Sequence, residues 1–275
     1  MSGDKIIQML IFEGNPNKLI MCELSNSNVR IYKVSRNELR EFEKRGDSKN
    51  TGVYFLFGKD DNNNITIYVG EAESIIQRLK QHLTNKNYWN EAVAVISNND
   101  FLNKAHIKYL ENEFHSLASE AARAVIMNKS TPTRSSISEY DETALKGFIN
   151  DTKLLVNTLG YKVFDLVEEN SDSTVPLFYI EAARGAKGIG KIVPDGFAVL
   201  KGSVITSFVT KSYPSGSEKK RSFLLEEGII NESYVFLKDY VFNSPSSAAE
   251  IVMGRSANGL TEWKTKDGKI LKEFT

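Results

Sequence analysis

The sequence predicts an α+β protein, and three patterns support this class. Short runs rich in Val, Ile, Tyr and Phe, which are typical of strands, recur throughout the first hundred residues. Two longer segments repeat apolar residues every three or four positions, which is typical of amphipathic helices. Over residues 50–126 the order is strand, strand, helix, strand, helix. This order predicts a small three-stranded antiparallel sheet that is flanked by helices, because a sheet face has to be covered.

The three strands of this central sheet are bounded by turn residues. Residues 52–57 and 65–69 predict a β-hairpin, whose polar connection runs from Gly58 to Asn64. Residues 91–97 predict the third strand. The first helix begins after Ser74 and the second spans about 101–126. Their apolar stripes are Ile75, Ile76, Leu79 and Leu83 in the first helix, and Ile107, Leu110, Phe114, Leu117 and Ala121 in the second.

The rest of the chain divides into two further parts. Residues 1–48 predict a β-rich N-terminal extension of three short strands and a short helix, and the central unit covers 49–136. Residues 137–275 predict a C-terminal α+β module that follows a polar linker at 128–138. Within this module the pattern predicts helices at 139–159, 222–231 and 244–254, strands at 161–167 and around a glycine-rich loop at 184–191, and a turn at Asp267-Gly268.

Composition narrows the class of protein. The 275 residues are 41% hydrophobic and 25% charged, which is typical of a globular protein with a real core. No stretch approaches the roughly 18 apolar residues of a membrane span, and the first residues lack the pattern of an export signal. Cys22 is the only cysteine, so an internal disulfide is excluded. We therefore expect a cytoplasmic protein that has neither a membrane nor a disulfide-linked protein as a partner. The composition does not determine the oligomeric state.

Charge is balanced overall but unevenly distributed. The chain has 35 basic and 35 acidic residues, yet residues 183–225 hold 8 basic and 2 acidic side chains. A basic segment favours polyanionic partners, although it also fits a solvated, lysine-rich loop. The glycine-rich stretch at 184–191 lacks the Gly-Lys-Ser/Thr ending of a Walker phosphate loop. A flexible basic loop that contacts a DNA backbone through Lys187 and Lys191 is the better interpretation.

Five polar residues of the central unit stand out. Tyr54 and Tyr68 each lie beside a glycine in the two strands of the hairpin. Arg78 and His82 are four residues apart, so they project from one face of the first helix. Glu111 borders the apolar stripe of the second helix. Glu113 borders the same stripe on its other side, and periodicity alone does not choose between these two glutamates.

These residues, in this order, resemble a known family. The triplets Gly52-Val53-Tyr54 and Tyr68-Val69-Gly70, followed by Arg78, His82 and Glu111, look like the signature of GIY-YIG nucleases over residues 50–128. The resemblance implies metal-dependent hydrolysis of DNA phosphodiester bonds at a single-metal site with Mg²⁺ or Mn²⁺. The family pattern also favours Glu111 over Glu113.

The resemblance also implies roles for individual residues. Glu111 would hold the metal ion, Arg78 would stabilise charge on the phosphate, and one of the two signature tyrosines would activate the attacking water. We expect His82 to assist catalysis, and Gly70, Glu71 and Asn128 to lie at the substrate. The chemistry is consistent, because a guanidinium and a hard divalent cation both stabilise the negative charge that develops on phosphate oxygens.

One position departs from the family pattern. Some members have a lysine directly after the second signature glycine, whereas this chain has Glu71. A carboxylate opposes formation of a phenolate. Either a cation such as His82 or Lys80, or the metal, would have to favour the phenolate, or Glu71 itself would have to handle the proton. The alternative is a catalytically weak or inactive nucleic-acid-binding protein on the same scaffold.

A second resemblance covers the C-terminal part, about residues 195–273. The marks are the segments Ser244–Ala249, Gly254–Ser256 and Asn258-Gly259, followed by Trp263. They look like a domain of unknown function that recurs with GIY-YIG nucleases and with restriction and modification proteins. Most of these marks have structural explanations: a helix cap, close packing, a turn and a core tryptophan. We expect this module to aid DNA or target binding.

Overall fold

The chain forms two compact units in the computed structural model, and each unit has its own sheet and its own helices. The α+β class predicted from the sequence is therefore confirmed. The first unit holds residues up to 119 and 124–165, and the second holds 120–123 and the residues from 166 onward. The structure describes residues 4–60, 63–167, 176–182 and 185–275.

A seven-stranded sheet forms the centre of the first unit. The strands are β1 (Ile7–Ile11), β2 (Leu19–Leu24), β3 (Val29–Ser35), β4 (Gly52–Lys59), β5 (Ile65–Ala72), β6 (Trp89–Ser97) and β7 (Val125–Ile126). Their order is β1-β2-β3-β6-β4-β5-β7, and every neighbouring pair is antiparallel except β5 and β7.

The predicted three-stranded core is the middle of this larger sheet. The hairpin β4–β5 and the strand β6 pair as expected, but β6 also pairs with β3. The sheet is larger than predicted because the N-terminal strands pair with the free edge of β6 rather than forming a separate layer. Residues 61 and 62 of the predicted hairpin connection lie outside the described part of the chain.

Helices cover both faces of the first sheet. They are α1 (Leu39–Glu43), α2 (Ile75–Asn85), α3 (Lys104–Ala121) and α4 (Glu139–Thr158). Successive strand residues point to opposite faces. Phe55 of β4 accordingly packs with Phe114 of α3 and Phe148 of α4, whereas Tyr54 packs with Phe42 of α1 and Leu79 of α2. Helix α4, which the sequence groups with the C-terminal module, therefore contributes to the core of the first unit.

The strand predicted at 161–167 is wrong, since none of these residues lies in a strand. Tyr161 instead stacks on Phe57, with 4.0 Å between the ring centroids, and donates a hydrogen bond to Glu91. Phe164 packs 5.0 Å from Phe55. The aromatic side chains of this segment thus pack directly on the sheet. Their burial explains the apolar pattern at 161–167, although the backbone of this segment pairs with no strand.

The second unit contains the strands β8 (Phe178–Glu181), β9 (Lys187–Val193), β10 (Gly196–Val199) and β11 (Tyr240–Phe242), and the helices α5 (Ser215–Glu226), α6 (Pro245–Met253) and α7 (Gly259–Glu262). The strands form a four-stranded antiparallel sheet with the order β11-β10-β9-β8. Its helices pack with this sheet around a core that includes Phe197, Ile251 and Trp263. Ser244 caps α6 as predicted, because its hydroxyl accepts a hydrogen bond from the Ser247 N–H at 3.1 Å.

Trp263 is the largest side chain buried in the second unit, and replacing it with alanine should destabilise this unit by about 3 to 4 kcal/mol. The indole is fully buried against Phe197 and donates a hydrogen bond to the carbonyl of Pro245 at 3.0 Å. Urea denaturation followed by circular dichroism measures the loss. The control is Leu237→Ala, at a side chain that is 44% exposed, for which a change within about 0.5 kcal/mol is expected. Equal effects of the two variants would contradict this account of the core.

Two expectations from composition concern the whole chain. Cys22 is a free, buried cysteine in the core of the first unit, and its burial raises the pKa of the thiol to about 11. In the described part of the chain, the helices lack the combination of length and apolar character that crossing a membrane requires.

Candidate active site

The predicted site residues of the first unit lie close together around strand β5. Tyr68 and Gly70 of β5 lie opposite Leu56 and Tyr54 of β4, so the two tyrosines share one face of the sheet. Their rings stack with 6.2 Å between centroids. Helix α2 packs on this face and brings His82 within 5.5 Å of the Tyr54 ring and 5.6 Å of the Tyr68 ring.

The two signature glycines have packing explanations. A Cβ atom at Gly70 would lie 2.3 Å from both Cζ and the hydroxyl oxygen of Tyr54. A Cβ atom at Gly52 would lie 2.2 Å from the carbonyl oxygen of Val95 in the neighbouring strand. Gly70 therefore leaves the space that the Tyr54 ring occupies, which ties the second triplet of the signature to the first.

Tyr54, His82 and Arg78 form a hydrogen-bonded group. The Tyr54 hydroxyl lies 2.7 Å from Nε2 of His82, and Nε of Arg78 donates to the same hydroxyl at 3.4 Å. Tyr54 is fully buried, whereas Arg78 is exposed. One guanidinium thus reaches from the buried phenol to the surface, where a charged substrate can approach.

His82 is neutral at physiological pH in this arrangement. Burial, together with the positive charges of Lys86 and Arg78, lowers the pKa of its imidazole to about 4. Its Nδ1 atom is buried and has no hydrogen-bond partner among the described residues. A neutral imidazole that carries its proton on Nδ1 can accept a hydrogen bond at Nε2, so His82 is placed to hold the Tyr54 hydroxyl.

The two tyrosines differ in their surroundings. Burial, and secondly the neighbouring Tyr68, raise the pKa of Tyr54 strongly, while the hydrogen bond from Arg78 opposes the change. Tyr68 is partly buried, and its pKa is raised by burial and by the charge of Glu111. Lys86 places its Nζ 3.6 Å from the centroid of the Tyr68 ring. Tyr68 is therefore the more accessible of the two phenols and the one next to a lysine.

Glu111 reaches the site from α3, which covers the opposite face of the sheet. This approach is possible because β7 pairs with β5 only at Thr66 and Ile67, and Asn128 extends this pairing no further than Val69. The Glu111 carboxylate makes a hydrogen bond with the backbone of Glu71 at this edge. Burial, and secondly the charge of Glu71, raise the pKa of Glu111 to about 7, and the opposing effects of Arg78, Lys104 and the Glu71 backbone are smaller.

Glu71 and Glu113 have partners of their own. Lys104 forms hydrogen bonds with both carboxylate oxygens of Glu71, at 2.9 and 3.0 Å, so much of the charge of Glu71 is balanced. Glu113 forms an ion pair with Arg134 at 3.3 Å. Glu111 forms no such pair with a described residue, which leaves it as the carboxylate available to a cation.

The residues at this edge fit a magnesium-type site better than a zinc site. In the described part of the chain there is no group of three or more His, Cys, Asp or Glu side chains close enough to hold a metal ion together. Mg²⁺ does not require such a group, since it keeps several waters and often binds one or two carboxylates plus substrate phosphate. The half-buried carboxylate of Glu111, which forms no ion pair with a described residue and lies near Glu71, is a suitable oxygen donor for such an ion.

Asn128 is close to the site but already hydrogen-bonded. Its amide oxygen accepts from the Val69 N–H at 3.0 Å, and its amide nitrogen donates to the Val69 carbonyl at 2.8 Å. The side chain thus continues the ladder of β5 beyond β7, in the manner of a neighbouring strand. A positioning role for β5 is therefore better supported by the geometry than direct contact with substrate.

Lys187 and Lys191 belong to the second unit and lie in strand β9. The prediction of a flexible loop at 184–191 is wrong for 187–191, and Arg184 lies outside the described residues. The glycines are there for packing: a Cβ at Gly188 would meet the Trp263 ring at 2.9 Å. Lys187 is exposed but Lys191 is buried, so of these two lysines only Lys187 is placed on the surface.

Sequence reasoning missed two lysines near the tyrosines, Lys86 and Lys104. Lys86 continues the spacing of four that relates Arg78 to His82, but it lies just after the end of α2 and outside the family motif. Lys104 begins α3 and carries no motif signal. The continued spacing could have identified Lys86, whereas the pairing of Lys104 with Glu71 depends on the folded chain.

Comparison with known proteins gives one match, in the second unit. A family model described as a domain of unknown function (DUF4357) matches residues 178–275, which include the segment 195–273 singled out in the sequence. No curated protein and no solved structure matches the chain. The matched segment does not include residues 50–128, whose resemblance to GIY-YIG nucleases stays a prediction from the sequence.

Proposed function

We propose that the first unit hydrolyses DNA phosphodiester bonds at a single-metal site, with Mg²⁺ or Mn²⁺ held by Glu111. One observation carries the proposal: five polar side chains chosen from the sequence lie together in the folded unit. Tyr54, His82 and Arg78 are joined by hydrogen bonds, and Tyr68 stacks on Tyr54. Glu111 is close enough to affect the pKa of both tyrosines.

Arg78, His82 and Glu111 each have a separate role in the proposed hydrolysis. Arg78 binds the scissile phosphate and stabilises the negative charge that develops on its oxygens. His82 holds the Tyr54 hydroxyl by a hydrogen bond, so that the hydroxyl oxygen can accept a hydrogen bond from the attacking water, whose proton passes to solvent. Glu111 holds the divalent cation, which supplies further positive charge at the phosphate when it is bound.

The second unit would add affinity for DNA. The segment 183–225 holds 8 basic and 2 acidic residues, which fits contact with phosphates. Lys187 is the exposed lysine of β9 and belongs to this segment. The site of the first unit then has no need to provide all of the binding energy itself.

A plasmid assay tests the proposal. Supercoiled DNA is incubated with the wild-type protein and Mg²⁺, Mn²⁺ or EDTA, and nicked and linear products are measured on gels. Cleavage should require the metal ion and should be absent with the double variant Glu111→Ala/Arg78→Ala. Circular dichroism shows whether this variant is folded. Failure of the wild type to cut supercoiled, linear, branched or single-stranded DNA with either ion would exclude nuclease function.

A specific observation favours a second candidate, a nucleic-acid-binding protein with little or no activity. The pKa of Tyr54 is raised by its burial, which disfavours the phenolate, and Glu71 replaces the lysine of some family members. Gel-shift measurements in EDTA separate the candidates. Salt-dependent DNA binding without cleavage under any metal condition supports binding alone.

A further inference from the structure

Lys86 has a fixed position beside the candidate site. Its Nζ lies 3.6 Å from the centroid of the Tyr68 ring and 5.6 Å from that of Tyr88, so the ammonium rests on the ring faces. Its backbone is held as well: the carbonyl accepts a hydrogen bond from Arg36 at 2.7 Å, and the N–H donates to the His82 carbonyl at 3.2 Å. A side chain held in this way loses little freedom when it binds a ligand.

Three cations near Tyr68 have no anionic partner. In the described part of the chain, no carboxylate forms an ion pair with Arg78, Lys86 or Lys129. Burial, and then the charges of Arg78 and Lys129, lower the pKa of Lys86, so both cations lie close enough to repel its charge. Some other lysines of this unit are paired, such as Lys80 with Glu43 at 2.5 Å. Unbalanced positive charge next to a half-buried tyrosine favours an incoming anion.

We infer that Lys86 binds a phosphate oxygen of the nucleic-acid backbone beside Tyr68, as a second cationic contact in addition to Arg78. The inference rests on the proposed function, because it places the substrate of that same site. Glu71 occupies the position at which some family members have a lysine. Lys86, at the end of α2, places a cation beside Tyr68 instead. The site then holds the backbone through Arg78, which contacts the Tyr54 hydroxyl, and Lys86, which lies over the Tyr68 ring.

Binding measurements in EDTA test the inference without requiring catalysis. A fluorescein-labelled 20-base-pair duplex is titrated with protein at several salt concentrations, and anisotropy gives the dissociation constant. Lys86→Met keeps the length of the side chain but removes its charge. We expect about 3- to 10-fold weaker binding and a log–log salt slope that is smaller by about one. Lys86→Arg should restore the slope.

The control is Lys59→Met, at an exposed lysine five residues from Tyr54 along β4, or about 17 Å away. It should bind as the wild type does. The inference is overturned if Lys86→Met keeps the wild-type slope, if both variants lose affinity equally, or if the wild type shows no salt-dependent binding. If the wild type cleaves DNA, Lys86→Met should also lower kcat by about 10- to 100-fold. If it does not cleave, the proposed function fails while the salt slope still decides the role of Lys86.

Discussion

Replacing Glu111 with glutamine is expected to lower metal-dependent cleavage by about 10³-fold or more and to stabilise the metal-free protein at pH 8. The loss of cleavage follows because glutamine keeps the shape of the side chain but removes the negative charge that would hold the divalent ion. Initial rates on plasmid DNA at saturating Mg²⁺ measure it. A variant that cuts as fast as the wild type would remove Glu111 from the site.

The gain in stability follows from the pKa of Glu111. Folding raises this pKa from 4.5 to about 7, so the folded state favours the protonated carboxyl. The stabilisation is fully present below pH 4.5 and is lost as the pH rises through 7. At pH 8 the charged group therefore costs stability, by about 1 kcal/mol after allowance for its partial exposure, and glutamine removes that cost.

Urea denaturation at pH 8 in EDTA measures this change, and a second series with Mg²⁺ gives a further comparison. Mg²⁺ should stabilise the wild type, since an ion that binds only the folded state shifts the equilibrium toward it, and should have little effect on Glu111→Gln. The matched control is Glu113→Gln on the same helix, where the carboxylate pairs with Arg134. That variant should keep its activity and its response to Mg²⁺.

The sequence predicted the elements around the site because local pattern determines them. The strand and helix patterns predicted β4, β5 and α2, and the spacing of four predicted that Arg78 and His82 lie on one side of α2. These are properties of a strand period and a helix period. Glu111 could not be distinguished from Glu113 in this way, because the difference lies in their partners in the fold.

What the sequence did not predict depends on long-range pairing. Strand β3 pairs with β6, which lies more than fifty residues further along the chain, and no local sequence pattern predicts this pairing. Tyr161 and Phe164 are apolar in the manner of a strand but pack as side chains on the sheet. The stretch 187–191 is rich in glycine, as loops are, yet its glycines allow close packing within β9.

Gly70 and Tyr54 are also connected by a contact that forms only in the folded unit. Gly70 belongs to the second triplet, yet the space it leaves is filled by Tyr54 of the first. A sequence comparison presents these as two separate motifs. In the folded unit they form one packing arrangement, which fixes the phenol that His82 and Arg78 contact.

Arg78→Ala is expected to lower kcat by about 10³-fold, with a smaller effect on the KM for DNA. The guanidinium is anchored to the Tyr54 hydroxyl at 3.4 Å and to Gln81 at 3.0 Å, and the side chain is otherwise exposed. Its contribution should be largest in the transition state, where charge on the phosphate oxygens increases. Single-turnover cleavage with excess enzyme measures the chemical step directly.

Arg78→Lys distinguishes charge from geometry. Lysine keeps the positive charge but lacks the planar fork that can contact Tyr54 and a phosphate at the same time. We therefore expect it to recover less than a tenth of the wild-type rate while restoring most of the DNA affinity. The control is Arg40→Ala, at an exposed arginine of α1, which should leave the rate unchanged. Full activity of Arg78→Lys would show that a simple positive charge is sufficient, and full activity of Arg78→Ala would remove this residue from the mechanism.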